Sequence, residues 1–259
     1  MEVIMKIFYF TATGNSLDVA KRFGGELYSI PKVLKNNQFS FEDEKIGIVF
    51  PCYGFAAPNI VREFTEKITL KSPYIFVIIT YGNKLGGGVN WFMQFAEKNN
   101  IHIQYADGLL MIDNYLPVFD MEKQKLKSKN IEENLSHLLN DVNQDKHYIN
   151  SGTFLDSMMT SSIQGLFKIF PNFNSVKNFS VGNSCNGCGT CVKVCPRDNI
   201  TINKNVDKSK PIYGEHCEFC LACINLCPKK AIQLKKESNP NARFMNENVT
   251  LKEIITAND

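Results

Sequence analysis

Lys6-Ile7-Phe8-Tyr9-Phe10-Thr11-Ala12-Thr13-Gly14-Asn15-Ser16 reads as a short apolar strand, a hydroxyl-rich turn, and the start of a helical pattern that Leu17, Val19, Ala20 and Phe23 continue. Such a turn at a helix N-terminus offers orphan backbone N–H groups and side-chain O–H groups to a phosphate without a lysine or arginine. Taken alone it equally allows Thr13 or Ser16 to be an ordinary helix cap. Two further strands repeat the arrangement. Lys45 to Phe50 runs into Pro51-Cys52-Tyr53-Gly54-Phe55, and Tyr74 to Thr80 runs into Tyr81-Gly82-Asn83 with Gly86-Gly87-Gly88 beyond. In an open parallel sheet ligands bind outside the carboxyl ends of the strands, near the point where strand order reverses; for the order 2-1-3-4-5 that point lies between the first and third strands. An α/β fold with a doubly wound parallel sheet is expected, and 2-1-3-4-5 is the order taken for it.

The same half holds His102 to Ile112 as another strand, with Pro117 arguing against its continuation, and Met121 to Asp145 as one long polar helix. Asn114 and Tyr115 follow the strand and serve either a ligand edge or a structural turn. Tyr53 has a bland role as a cap on the sheet edge, and Gly86 to Gly88 as a loose turn. Cys52 has no cysteine or histidine partner suited to covalent catalysis and reads as a small loop thiol. The four histidines show no ligand spacing, His216 beside Cys217 being the one that invites attention, and Trp91 is expected to pack the helix after the glycines.

Eight of the nine cysteines fall between Cys185 and Cys227. They form two runs, Cys185-x2-Cys188-x2-Cys191-x3-Cys195-Pro196 and Cys217-x2-Cys220-x2-Cys223-x3-Cys227-Pro228. Each cysteine recurs 32 residues later (217 minus 185, 227 minus 195), so the segment is an internal duplication. Close spacing lets three thiolates wrap one cluster while the fourth, followed by proline, reaches the other cluster, as in the bacterial iron–sulfur run. Cys185, Cys188, Cys191 and Cys227 are thus assigned to one 4Fe-4S cluster, and Cys217, Cys220, Cys223 and Cys195 to a second. Gly187, Gly189 and Ala222 keep the loops small enough for backbone N–H groups to approach sulfur. Zinc is the bland alternative, but it wants closed tetrahedra and has no use for the x3-Cys-Pro element.

Composition bounds the rest. The chain has 259 residues, with a net charge of +3, which points to two domains and demands neither nucleic acid nor an anionic membrane as partner. No apolar run approaches the ~18 residues of a membrane span, and no cleavable signal pattern follows the first strand. A soluble, cytoplasmic protein is expected, and the richness in Lys and Asn fits an AT-rich bacterial genome. Division is expected at 1–150, a connecting helix at 151–178 built on Phe154 to Phe173 and ended by Pro171-Asn172, the cysteine domain at 179–236, and a tail at 237–259 with a last helix over Val249 to Ile255.

The segment Phe179 to Leu234 resembles two-cluster bacterial ferredoxins, including Asn199-Ile200 and Ala231-Ile232 as matching strand starts after the two Cys-Pro corners. The run Lys6 to Ser16 resembles the FMN phosphate loop of flavodoxins, with Ser16 where many flavodoxins place Thr, and the other two loops look like the pair that flank the flavin ring. Together the chain resembles the flavodoxin–ferredoxin fusion proteins of anaerobic bacteria. The resemblance implies a flavodoxin-like domain followed by a small α+β ferredoxin-like domain, two 4Fe-4S clusters and FMN. It implies that Thr11, Thr13, Gly14, Asn15 and Ser16 hold the phosphate, and that Pro51, Tyr53, Gly54, Phe55, Thr80, Tyr81, Gly82, Asn83 and Gly87 border the flavin.

The expected function is electron relay between the clusters and FMN, linked to a redox protein partner such as a ferredoxin, a hydrogenase or another oxidoreductase, with Lys204, Lys208, Lys210, Lys229 and Lys230 as a docking face or merely a solvated one. Two rivals are an FMN-dependent reductase acting on a quinone, enone or nitro compound, with Tyr81 or Tyr115 as proton donor, and a redox-responsive binding module. Direct use of NAD(P)H is disfavoured, because no second strand-GxGxxG-helix unit appears.

Overall fold

The computed structural model describes residues 5–170, 175–202 and 210–258. Two compact units make up the chain: Met1–Thr11, Asn15–Met111 and Ser128–Ile169 in the first, and Ala12–Gly14, Ile112–Lys127 and Phe170–Asp259 in the second.

The first unit is built on a six-stranded, all-parallel sheet. Its strands are β1 (Lys6–Tyr9), β2 (Glu26–Ser29), β3 (Lys45–Pro51), β4 (Tyr74–Tyr81), β5 (Tyr105–Leu110) and β6 (Tyr148–Ile149). They lie in the order 2-1-3-4-5-6, so the expected reversal between β1 and β3 is present, extended at one edge by the short β6. The central strands are apolar throughout because both faces are covered: every residue of β4 from Tyr74 to Thr80 is buried. Gly47 on β3 leaves room for the Phe76 ring of β4, which would stand 2.4 Å from a Cβ there.

Helices α1 (Asn15–Phe23), α2 (Ile30–Asn36), α3 (Asn59–Lys67) and α4 (Gly88–Lys98) follow β1 to β4. Aromatic residues knit them to the sheet: Phe23 of α1 meets Phe76, Phe64 of α3 meets Phe8, and Phe92 of α4 meets Phe50, with ring centroids 4.7 to 5.2 Å apart. Each such fully buried ring contributes about 1.5–3 kcal/mol. Trp91 stacks on Phe95 under the Arg62 guanidinium.

The expected long helix over Met121 to Asp145 is instead two, α5 (Met121–Lys125) and α6 (Ile131–Asn143). Asn130 between them takes a left-handed conformation, φ 47°, which asparagine tolerates and which no continuous α-helix accommodates. Helix α7 (Phe154–Ile169) forms as expected, while its proposed end at Pro171-Asn172 lies outside the described residues. No described helix is long and apolar enough to cross a membrane.

In the second unit the duplication extends from cysteines to secondary structure. Strand β7 (Phe179–Val181) recurs as β9 (Pro211–Tyr213), α8 (Thr190–Lys193) as α9 (Ala222–Asn225), and β8 (Ile200–Ile202) as β10 (Ile232–Leu234). Each recurrence is offset by 32 residues (211 minus 179, 222 minus 190, 232 minus 200). The antiparallel registers obey the same offset: Ile200 faces Tyr213, and Ile232 faces Val181. The halves are therefore exchanged by a pseudo-two-fold relation, with each strand pair drawing one strand from each repeat. The unit closes with α10 (Leu251–Asn258). Its tail is tied down by a buried Arg243–Glu237 ion pair at 2.8 Å, and by the Asn225 side chain, which accepts the Phe244 N–H.

Candidate functional site

The cysteines gather four and four. One small cavity is lined by Cys185, Cys188, Cys191 and Cys227, together with Asn186, Gly187, Gly189, Thr190, Ile202, Lys229 and Ile232. Another is lined by Cys195, Cys217, Cys220 and Cys223, with Phe179, Pro196, Asn199, Ile200, Tyr213 and Glu218. Cys195 and Cys227 have thus each crossed to the other repeat. Among the described residues no three His, Cys, Asp or Glu side chains converge as a single metal ion requires. Each set offers four thiols, the number of cysteines that a 4Fe-4S cluster takes.

The loops place hydrogen bonds on sulfur. The Asn199 N–H donates to Cys195 Sγ at 3.4 Å, and its repeat counterpart, the Ala231 N–H, donates to Cys227 Sγ at 3.4 Å. The Phe219 N–H reaches Cys217 Sγ at 3.3 Å, and Cys188 Sγ lies 3.4 Å from the Thr190 hydroxyl. That hydroxyl is the main reason the Cys188 thiol sits below its ordinary value. Burial pushes the Cys191 and Cys217 thiols up to about 11, and those of Cys220 and Cys223 well above the ordinary range. A metal must therefore displace protons that these thiols otherwise hold at neutral pH.

Asn199, which the sequence marks only as a strand start, is a junction. Its side-chain oxygen accepts the His216 N–H at 2.8 Å, and its amide nitrogen donates to the Gly214 carbonyl. His216 thus contributes its backbone here. Arg197 pairs with buried Glu218 at 3.0 Å, another contact between the repeats that spacing alone does not reveal.

At the carboxyl end of β1, Thr11 and Ser16 are both buried, and Asn15 opens the nine-residue α1. The Ser16 hydroxyl lies 2.8 Å from that of Thr80, at the end of β4. Thr13 and Gly14 belong to the second unit. There the Thr13 carbonyl accepts the Asn246 N–H at 2.8 Å, and its hydroxyl meets the Asn114 side chain. Gly14 has φ 107°, and a Cβ on it would stand 2.8 Å from Cβ of Asn246. Within the first unit, the buried Thr11 and Ser16 hydroxyls and the N-terminus of α1 are donors of the kind a phosphate accepts.

The other loops sit at the ends of β3 and β4. Tyr53 and Ala56 exchange backbone hydrogen bonds around Gly54 and Phe55, both left-handed at φ 57° and 64°. Phe55 is a bulky residue in a region that side chains rarely adopt. The close approach that these glycines allow is to the chain itself. A Cβ on Gly54 would meet the Phe167 ring of α7 at 2.3 Å, one on Gly86 the Phe55 ring at 2.7 Å, and one on Gly87 the α7 backbone at 3.0 Å. Helix α7 is pinned by Thr160, whose hydroxyl accepts the Gly87 N–H, and by Gln164, which donates to the Gly54 carbonyl at 2.7 Å.

Pro51 pairs with Thr80 across the sheet, and the Cys52 N–H donates to the Thr80 carbonyl. The Cys52 thiol faces the Leu85 carbonyl. The Gly82 carbonyl accepts the Lys129 ammonium, and Asn83 beside it is exposed. Burial first, and nearby Asp107, hold the Tyr81 hydroxyl above its ordinary value; burial and Asp113 do the same for Tyr115. Of the five lysines, Lys229 borders the first cavity, Lys210 donates to the Val181 carbonyl and Lys230 to that of Asn241. Lys204 and Lys208 lie outside the described residues.

Residues 184–231 match the 4Fe-4S dicluster domain family. This segment is an iron–sulfur domain, and it takes in all eight clustered cysteines. Among solved structures, a putative flavoprotein from Bacteroides eggerthii is similar at 17% identity, covering 48% of this chain and 94% of its own, with a TM-score of 0.34. The two-electron reduced flavodoxin of Megasphaera elsdenii is similar at 16% identity, over 40% of this chain and 85% of its own, with a TM-score of 0.29. The Trp repressor binding protein of Bacillus subtilis is similar at 9% identity, over 54% of this chain and 96% of its own, with a TM-score of 0.34. No curated protein matches the sequence. The flavodoxin-like assignment of the sheet rests on its own strand order, 2-1-3-4-5 with one added strand.

Proposed function

We propose that the protein is a cytoplasmic iron–sulfur flavoprotein of an anaerobic bacterium that relays single electrons between two 4Fe-4S clusters and an FMN, linking a low-potential redox protein to flavin chemistry. The observation that carries this reading is the gathering of eight cysteines into two crossed sets of four, in a chain whose sheet also presents a hydroxyl-rich loop at its switch point. When bound, the clusters supply one-electron chemistry and the flavin couples it to two-electron chemistry.

The residues have separable tasks. Cys185, Cys188, Cys191 and Cys227 would hold one cluster, and Cys195, Cys217, Cys220 and Cys223 the other. The N–H groups of Asn199 and Ala231 would stabilise charge on the two crossing sulfurs. Thr11, Thr13, Gly14, Asn15 and Ser16 would take the phosphate, and the loops carrying Tyr53 and Tyr81 would border the ring. Tyr81 and Tyr115 keep their protons at neutral pH, so either could donate one. A raised value makes each a weaker acid than an ordinary tyrosine, which counts against the second reading, in which a quinone, enone or nitro compound is reduced directly. Lys210, Lys229 and Lys230 would steer an acidic partner such as a ferredoxin or hydrogenase.

The test is anaerobic rapid mixing of FMN-loaded protein with a reduced low-potential ferredoxin, for the wild type and for Cys220→Ala. The expected result is flavin bleaching in the wild type and at least tenfold slower bleaching in the variant at equal FMN content. Equal rates would rule out the relay and leave direct reduction of the flavin.

A further inference from the structure

The second cavity is lined largely by apolar side chains, with Asn199, Glu218 and Tyr213 as its polar members beside the cysteines. Phe179, Pro196, Ile200, Leu221 and Ala222 line it beside the four cysteines, and Tyr213 joins them. Strand β9 fixes Tyr213 through its pairing with Ile200, and the ring packs edge-on against Phe179 with centroids 5.4 Å apart. The hydroxyl oxygen is buried, and no nitrogen or oxygen of the described residues partners it. It shares its cavity with the sulfurs of Cys195, Cys217, Cys220 and Cys223, of which Cys223 acts on it most strongly. Leaving a buried hydroxyl unsatisfied costs about 1–3 kcal/mol, and a buried phenol normally finds an acceptor. The position equivalent to Tyr213 in the other repeat is Val181, 32 residues earlier (213 minus 181), which has no hydroxyl.

We propose that Tyr213 is a tuning residue for one cluster only: its hydroxyl donates a hydrogen bond to the sulfur of Cys223, favouring the reduced form of the cluster held by Cys195, Cys217, Cys220 and Cys223. This rests on reading those four cysteines as one cluster's ligands. A one-electron reduction adds negative charge that spreads onto the ligand sulfurs. A donor aimed at such a sulfur stabilises the reduced state more than the oxidised one, raising the potential. No proton is transferred; the O–H bond stays intact while its acceptor gains charge. The apolar wall works in the opposite direction, because a dry surrounding disfavours the more highly charged form. The phenol therefore offsets part of what its neighbours impose, and the first cavity, where solvent, Thr190 and Lys229 are at hand, has no need of one.

The experiment is potentiometric EPR on full-length, cluster-loaded Tyr213→Phe, with iron and sulfide measured beforehand. The expected result is unchanged iron content, with one cluster harder to reduce by about tenfold in its equilibrium constant, which is about 59 mV for a one-electron couple, and the other cluster unmoved. Full iron content with both potentials unchanged overturns the inference. If the variant loses iron, 3-fluorotyrosine placed at position 213 keeps the ring and makes the hydroxyl a stronger donor. That substitution must raise the same potential, and no change again overturns the inference. Wild-type protein that takes up only four irons would sink the ligand reading itself, a failure distinguishable by iron content from failure of the tuning.

Discussion

The two repeats of the iron–sulfur unit share cysteine spacing, strand register and helix position to the residue, yet their cavities are chemically unlike. The first is walled by Asn186, Gly187, Gly189, Thr190 and Lys229 together with Ile202 and Ile232, with an exposed Cys188. The second is walled by Phe179, Pro196, Ile200, Leu221 and Ala222 with Asn199, Tyr213 and Glu218, and Cys220, the counterpart of Cys188, is less exposed. Their backbones reach the same shape by different means. Gly187 and Gly189 take left-handed φ values of 68° and 79°, and their counterparts Phe219 and Leu221 take 51° and 60° while carrying bulky side chains. Such a conformation costs a side-chain-bearing residue roughly 1–2 kcal/mol. The second repeat accepts that cost, and in exchange Leu221 closes its cavity. Duplication preserves the ligand geometry, and the residues between ligands then set each site's dielectric and hydrogen bonding.

Breaking a crossing ligand has the largest expected effect. Cys227→Ala belongs by sequence to the second repeat but lines the first cavity, so it should remove about half the iron and spare the cluster beside Tyr213, as read by iron content and EPR. Loss of the other signal would mean the ligands do not cross.

Next comes the anchor of the tail. Arg243→Met leaves Glu237 buried without its partner and removes a donor to the Ile232 carbonyl at the edge of the first cavity. A loss of about 3–5 kcal/mol is expected in chemical denaturation of the loaded protein, with iron leaving the first cavity first.

Thiol reactivity sharpens the contrast in metal-free protein. At pH 8 iodoacetamide should label Cys188 fastest, and Cys223 among the slowest, by mass spectrometry. Because burial raises the folded-state values of Cys191 and Cys217 to about 11, the stability they contribute is present below the unfolded value of about 8.5. It is lost as pH climbs toward 11, so metal-free protein should melt at a lower temperature at pH 10 than at pH 8. The smallest change is expected from Phe219→Gly. Relief of the left-handed backbone nearly offsets the lost contact with Phe179, for a net change within about 1 kcal/mol.

How far the sequence was readable follows from which signals are local. Cysteine spacing and the 32-residue offset survive as text, so the sheet-forming loops and both thiol sets were visible in advance. The strand β2 was not, because Glu26-Leu27-Tyr28-Ser29 is short and half exposed and has no apolar run. Gly54 and Gly87 read as bordering a ligand, whereas their near neighbours are Phe167 and the α7 backbone; a missing Cβ says that something comes close, not what. Tyr213, Asn199 and Asn246 act across gaps in sequence that no spacing rule covers. Offset comparison of the repeats would have flagged Tyr213, since its counterpart is the apolar Val181.

The measurement that bears most directly on the account is the cofactor content of anaerobically purified full-length protein, with iron, acid-labile sulfide and FMN each determined per chain. The account predicts about eight irons, about eight sulfides and about one FMN. One or two irons without sulfide, or eight irons with no flavin even after incubation with excess FMN, would contradict it.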